Sequence, residues 1–127
     1  MREEPKTGFE ISEIIRALLD VRPGLTGAAL NTLRFRGLIP FDDSNGVPGR
    51  GSRHSLEFAI RLYLMFSMHQ QFGIKIERAS EIASAVDISD DCEPLHVVTA
   101  GSCSVVLKVR EAACVIRSRL TDAKENA

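Results

Sequence analysis

Gly24-Leu25-Thr26-Gly27-Ala28-Ala29-Leu30-Asn31-Thr32-Leu33-Arg34-Phe35-Arg36-Gly37-Leu38-Ile39-Pro40 decides how this chain reads, together with Gly49-Arg50-Gly51-Ser52-Arg53-His54-Ser55 further on. Thr26 offers a side-chain oxygen to the unpaired N–H groups of a helix start. The helix it opens covers 27–36, and Gly37 stops it, because glycine enters left-handed backbone without a Cβ penalty. Leu30 and Leu33 fall on its inward face, leaving Ala28, Asn31, Thr32 and Arg34–Arg36 outward. Leu38-Ile39-Pro40-Phe41 reads as a short extended stretch, and 42–49 as a loop by composition. The Gly/Ser/Arg passage then runs into Ser55, which caps a third helix from Leu56 to Phe72 with Gly73 as its stop.

Upstream, a first helix begins at Ser12, or at Thr7 with Glu10 as a capping box, and runs to Asp20. Its Ile11, Ile14, Ile15 and Leu18 share one face. Val21-Arg22-Pro23-Gly24-Leu25 is the turn into the second helix. Two short helices with a common core face, an extended stretch, a basic loop and a long helix describe a winged helix-turn-helix. Such an architecture offers DNA a helix for the major groove and a wing for the backbone.

The third helix is apolar almost all round, with Glu57 and Arg61 four apart as its one wet stripe. A fourth helix covers 77–86, Asp87–Pro94 is an acidic linker, and 95–99 and 104–109 form a hairpin around Ala100-Gly101-Ser102. A last helix covers 110–120 with Ala113, Ile116 and Leu120 inward, and 121–127 reads as a disordered tail. The expected fold class is therefore mainly α, a winged helix-turn-helix with a small β-wing plus a C-terminal β-hairpin and short helix. Its divisions are a DNA-binding domain over 9–86, the linker 87–94, and the hairpin-helix element 95–120.

In these residues the chain resembles the DNA-binding domain of the MerR-like winged-helix family. The likeness covers Phe9–Val86. It rests on Phe9-Glu10-Ile11-Ser12-Glu13-Ile14, on the capped helix ending Gly37-Leu38-Ile39-Pro40, and on Gly51-Ser52-Arg53-His54-Ser55-Leu56-Glu57. Phe72-Gly73-Ile74-Lys75-Ile76-Glu77-Arg78-Ala79 completes it. Counting back from Gly37, the family's signature leucine falls on Leu30, its DNA-contacting arginine on Asn31 and its first aromatic on Thr32. The literal Thr32-Leu33-Arg34 is thus out of register with the signature, and the expected aromatic pair is missing. Where the family continues into a long dimerisation coiled coil, this sequence carries the hairpin and a short helix.

Composition limits the functions available. At 127 residues with 44% apolar and 26% charged side chains, the chain can bury one core. Its net charge of -1 gives no global pull on nucleic acid. Yet six arginines (Arg22, Arg34, Arg36, Arg50, Arg53, Arg61) stand against Asp42, Asp43 and Glu57 between positions 22 and 61. Arginine is the better bidentate ligand for phosphate and guanine. The expected DNA-contacting residues are Thr26, Asn31, Thr32, Arg34 and Arg36 on the second helix and Arg50, Ser52, Arg53 and His54 on the wing. Arg61 is expected to pair with Glu57.

No Ser/His/Asp order, Cys/His pair, carboxylate pair or phosphate loop is present, so no enzyme is expected. Cys92, Cys103 and Cys114 are odd in number and scattered, which reads as reduced thiols in a cytoplasm rather than a metal site. No cofactor and no metal are expected. Met1–Lys6 lacks the apolar stretch of a secretory signal, and Phe58–Phe66 is too short for a membrane span. Leu64, Met65, Met68 and Phe72, with Val105 and Leu107 of the hairpin, exceed what one small core needs and are expected at a homodimer interface. The expected function is that of a sequence-specific, double-stranded-DNA-binding transcriptional regulator of bacterial or phage type, in contact with the transcription machinery. The alternatives are an excisionase-like or architectural DNA-binding factor, and a protein–protein interaction module. The C-terminal segment is too short to build a deep effector pocket.

Overall fold

The structure, a computed structural model, describes residues 9–41, 53–88, 95–100 and 103–125. It is mainly helical. In chain order the elements are β1 (Phe9–Glu10), α1 (Ile11–Ala17), α2 (Gly27–Phe35), β2 (Arg53–His54), α3 (Leu56–Phe72), α4 (Ile76–Ala85), β3 (His96–Ala100), β4 (Cys103–Leu107) and α5 (Val109–Glu125). Two antiparallel ribbons accompany the helices. One pairs Phe9 with His54 and Glu10 with Arg53, and the other pairs β3 with β4 from His96↔Leu107 to Ala100↔Cys103.

The long helix α3 is the centre of the core. Ser55 Oγ accepts the Phe58 N–H at 3.0 Å to start it, and Gly73, at φ +69°, ends it. It buries Phe58, Ala59, Ile60, Leu62, Leu64, Met65, Phe66 and Met68, side chains that point to every side. α4 and α5 pack directly against it, and α1 packs on α5. From α5 come Val109, Ala112, Ile116 and Leu120, and from the α1 region Ile14, Ala17, Leu18 and Val21. Each large apolar side chain so enclosed contributes roughly 1.5–3 kcal/mol.

This enclosure corrects one expectation. Leu64, Met65, Met68 and Leu107 are core residues of the single chain, not parts of a dimer interface. The surplus apolar surface of α3 is taken up by α4 and α5 within the chain. Phe72, at the end of α3, is the expected interface residue that remains 52% exposed. The side chain of Val105 lies outside the described residues.

Local backbone chemistry moves several boundaries. α1 is capped by Glu10, whose N–H donates to Glu13 Oε1 at 2.8 Å, rather than by Ser12 or Thr7. It stops at Ala17 instead of Asp20, and Leu18–Thr26 forms a wider turn than the short link of a compact helix-turn-helix. The extended stretch expected at 38–41 is not a strand. Leu38 N–H donates to Leu33 O at 2.9 Å and Gly37 N–H to Arg34 O at 3.1 Å, the paired bonds of a Schellman stop on α2. Leu38 O accepts from Ser80 Oγ at 2.6 Å, so the Leu38 backbone is spent and β2 pairs with β1 instead. α5 runs on to Glu125, through what read as a disordered tail, because Thr121-Asp122-Ala123-Lys124-Glu125 contains no glycine or proline to stop it. Ser89–Pro94, most of the acidic linker, lies outside the described residues.

Two arginines lock the helices together. Arg61 of α3, with a side chain only 12% exposed, donates from Nη1 to Ala83 O (2.6 Å), Val86 O (2.8 Å) and Ser84 O (3.3 Å). These are carbonyls of the α4 C-terminus, which lack helical partners and carry the negative end of its dipole. The expected Glu57 contact exists, at 3.2 Å from Nε, but it is the lesser one. Arg119 of α5 grips Asp20 with two bonds, at 2.7 and 3.1 Å, and donates to Ala17 O at 2.8 Å. Its guanidinium also lies 5.9 Å from the centre of the Tyr63 ring.

Arg61→Ala should cost about 2–3 kcal/mol, since it strips a charged donor from buried carbonyls. Glu57→Gln should cost less than about 0.5 kcal/mol, as the pair's exposed side. Urea unfolding of both variants checks the contrast, and equal losses would refute the capping role.

The Arg119 hydrogen bond holds the Asp20 carboxyl below its ordinary 3.8, with the nearby positive charge assisting and partial burial opposing. A folded-state value below the unfolded one means the stabilisation is complete at about pH 5 and above and is lost as pH falls through the folded value. Asp20→Asn should therefore cost about 0.5–1 kcal/mol at neutral pH, a figure that allows for solvent screening of this half-exposed pair. The gap from wild type should close in acid, and a gap unchanged at about pH 2 would place the effect elsewhere.

Candidate nucleic-acid interface

The face of α2 turned away from the core is where the expected DNA contacts gather. Thr26 begins the helix: its Oγ1 accepts the Ala29 N–H at 3.1 Å, so its part is structural capping. Leu30 is fully buried and Leu33 half-buried, in the register read from Gly37. That register leaves Ala28, Asn31, Thr32, Arg34, Phe35 and Arg36 exposed.

Each polar member of this face already has a partner within the chain. Arg34 Nη1 donates to Asn31 Oδ1 at 2.6 Å, tying the two into one unit with the Asn31 amide N–H groups still available. Thr32 Oγ1 donates to Ala28 O at 3.1 Å, leaving its oxygen lone pairs as acceptors. Arg36 pairs with Glu77 of α4 at 2.9 Å, which offsets part of the positive potential on that flank. These are solvent-facing contacts and so are exchangeable for contacts to a ligand at small cost.

Phe35, outward within Arg34–Arg36 as expected, was not among the expected contact residues. Its ring is 92% exposed, the barest large apolar side chain among the described residues. The signal was present: at 100° per residue, position 35 lies opposite Leu30 and Leu33 and beside Ala28 and Asn31. An aromatic placed there has no core role.

Of the stretch expected to form a wing, only Arg53 and His54 lie within the described residues. β2 carries Arg53 and His54 beside β1, next to the starts of α1 and α3. Arg50, Ser52 and the side chain of Arg53 lie outside the described residues. His54 is not a phosphate ligand. It is 3% exposed, and its ring stacks on Phe58 with centroids 4.6 Å apart and planes 23° from parallel. The ribbon turns His54 inward, and Phe58 supplies the surface that receives it. Phe41 reaches the same ring from 5.9 Å.

Among the described residues no three His, Cys, Asp or Glu side chains converge to hold a metal ion, and no helix is long and apolar enough to cross a membrane. Cys114 is exposed on α5.

His54→Ala should lower stability by about 1–3 kcal/mol through the lost stacking and burial. Ligand affinity per folded molecule should stay unchanged. Loss of affinity without loss of stability would return His54 to the interface.

Comparison with protein-family models, curated proteins and solved structures returned no match to the chain.

Proposed function

We propose that the protein binds double-stranded DNA in a sequence-specific manner, as a transcriptional regulator of bacterial or phage type. In this reading α2 enters the major groove and the 50–53 loop holds flanking backbone. The observation that carries it is the construction of α2. The helix is fixed by a Thr26 cap, a Schellman stop and a narrow leucine seam, while Asn31, Thr32, Arg34, Phe35 and Arg36 stand exposed. A rigidly mounted helix can meet base edges without rearrangement of the domain beneath it. Asn31 suits adenine, Arg34 suits guanine or phosphate, and Phe35 suits a thymine methyl group. With a net charge of -1, attraction is confined to this face and the arginine loop. Symmetric half-sites read by a homodimer belong to the same proposal. Its contact surface is sought at Phe72 and on the outer hairpin face, where Val97 and Val106 are paired and exposed.

One observation favours a second reading, a protein-docking module. A nearly bare phenylalanine beside intramolecularly paired polar groups is the kind of anchor protein partners bury. The DNA reading is tested by fluorescence anisotropy with genomic fragments over a salt series. Arg50→Ala with Arg53→Ala should weaken binding and make the slope of log K against log salt less negative by about 2, one unit per phosphate contact. Asn31→Ala should cut affinity for the preferred fragment about tenfold while leaving that slope unchanged. Absence of binding at about 50 mM salt would overturn the proposal in favour of protein docking.

A further inference from the structure

On the flank of α2 opposite Arg34 lies a cleft of about 410 Å³, closed by α3 and the start of α4. Its apolar walls come from Leu25, Leu33, Phe66 and Ile76. Leu25 and Phe66 are core residues, and Leu33 and Ile76 pack against that core, so the cavity is held open by the same contacts that fold the domain. The polar groups sit together with this apolar surface: Arg22, Thr32, Arg36 and His69.

Their chemistry is one-sided. Arg22 makes no ion pair among the described residues, whereas Arg36 shares its charge with Glu77 at 2.9 Å. His69 Nδ1 lies 2.8 Å from Ile74 O, and a carbonyl only accepts, so the proton sits on Nδ1. That leaves Nε2 to accept a hydrogen bond from a donor in the cleft. Among the described residues no carboxylate lines the cleft, Glu77 standing behind Arg36. An inorganic anion would leave the apolar walls wet, and a hydrocarbon would leave Arg22 unanswered. A volume of this size with apolar walls and a few convergent polar groups is the usual build of a small-molecule site.

We infer that this cleft binds a small aromatic monoanion, its ring against Leu33 and Ile76 and its carboxylate toward Arg22. The cleft shares Thr32 and Arg36 with the face proposed to meet DNA, and its occupancy is tested on the free protein, so that its failure is distinguishable from failure of the DNA-binding reading. The probe is 2-naphthoate, titrated by calorimetry and by amide chemical-shift mapping, with neutral 2-naphthamide and inorganic phosphate as the comparison ligands.

Saturable binding of 2-naphthoate, with shifts centred on Ala29, Thr32, Leu33 and His69, is the expected result. The amide should bind about tenfold more weakly, the equivalent of about 1.4 kcal/mol, and phosphate should not compete at similar concentration. Arg22→Gln, an exposed substitution, should weaken 2-naphthoate about tenfold and leave the amide unchanged. Ala29→Leu should fill the cleft and abolish both, with circular dichroism reporting that the helices persist. Equal affinity for acid and amide, shifts centred elsewhere, or no saturation at millimolar probe would each overturn the inference. So would unaltered naphthoate binding by Arg22→Gln.

Discussion

Because α3 carries apolar side chains on every side, it cannot rest on one neighbour, and the rest of the molecule is arranged to enclose it. α4 covers one flank and α5 another, while α1 joins α5 over the same core. The polar locks follow from that enclosure. Once α4 is pressed against α3, its terminal carbonyls are cut off from water, and Arg61 is the α3 side chain placed to answer them. Once α5 is pressed against α1, the end of α1 meets the same problem, and Arg119 answers it at Ala17 O. Neither arginine adds much as a surface charge. Each removes a penalty that apolar packing created.

The parts of the fold legible in the sequence were those written in short-range chemistry. Thr26, Ser55, Gly37 and Gly73 act through neighbours within a few residues, so helices α2 and α3 could be placed almost to the residue. The β3–β4 hairpin was legible for the same reason. What escaped was set by distant partners. Leu38 looked extended until its carbonyl was claimed by Ser80 of α4, and β2 looked like half of a local wing until its partner proved to be Phe9–Glu10. The apolar excess of α3 suggested a second subunit, because nothing local indicates that an amphipathic helix some forty residues later will cover it.

The candidate site was legible to a similar depth. The register of α2 from Gly37 gave its outward face correctly, including the inward Leu30. It could not give the pairing of Arg34 with Asn31 or of Arg36 with Glu77, which determines how much charge that face presents. Nor could it give the cleft beside α2, whose walls come from a turn and three helices. His54 was misjudged because residue type says surface, whereas the ribbon turns it inward onto Phe58.

The grip of Arg119 on Ala17 and Asp20 joins residues about a hundred positions apart. As the chain leaves a ribosome, α1 to α4 emerge well before α5. Until then Ile14 and Leu18 lack the helix that packs on α1, and one side of α3 faces water. The apolar face of α1 therefore waits for α5, and the nascent domain carries an uncovered groove during that interval.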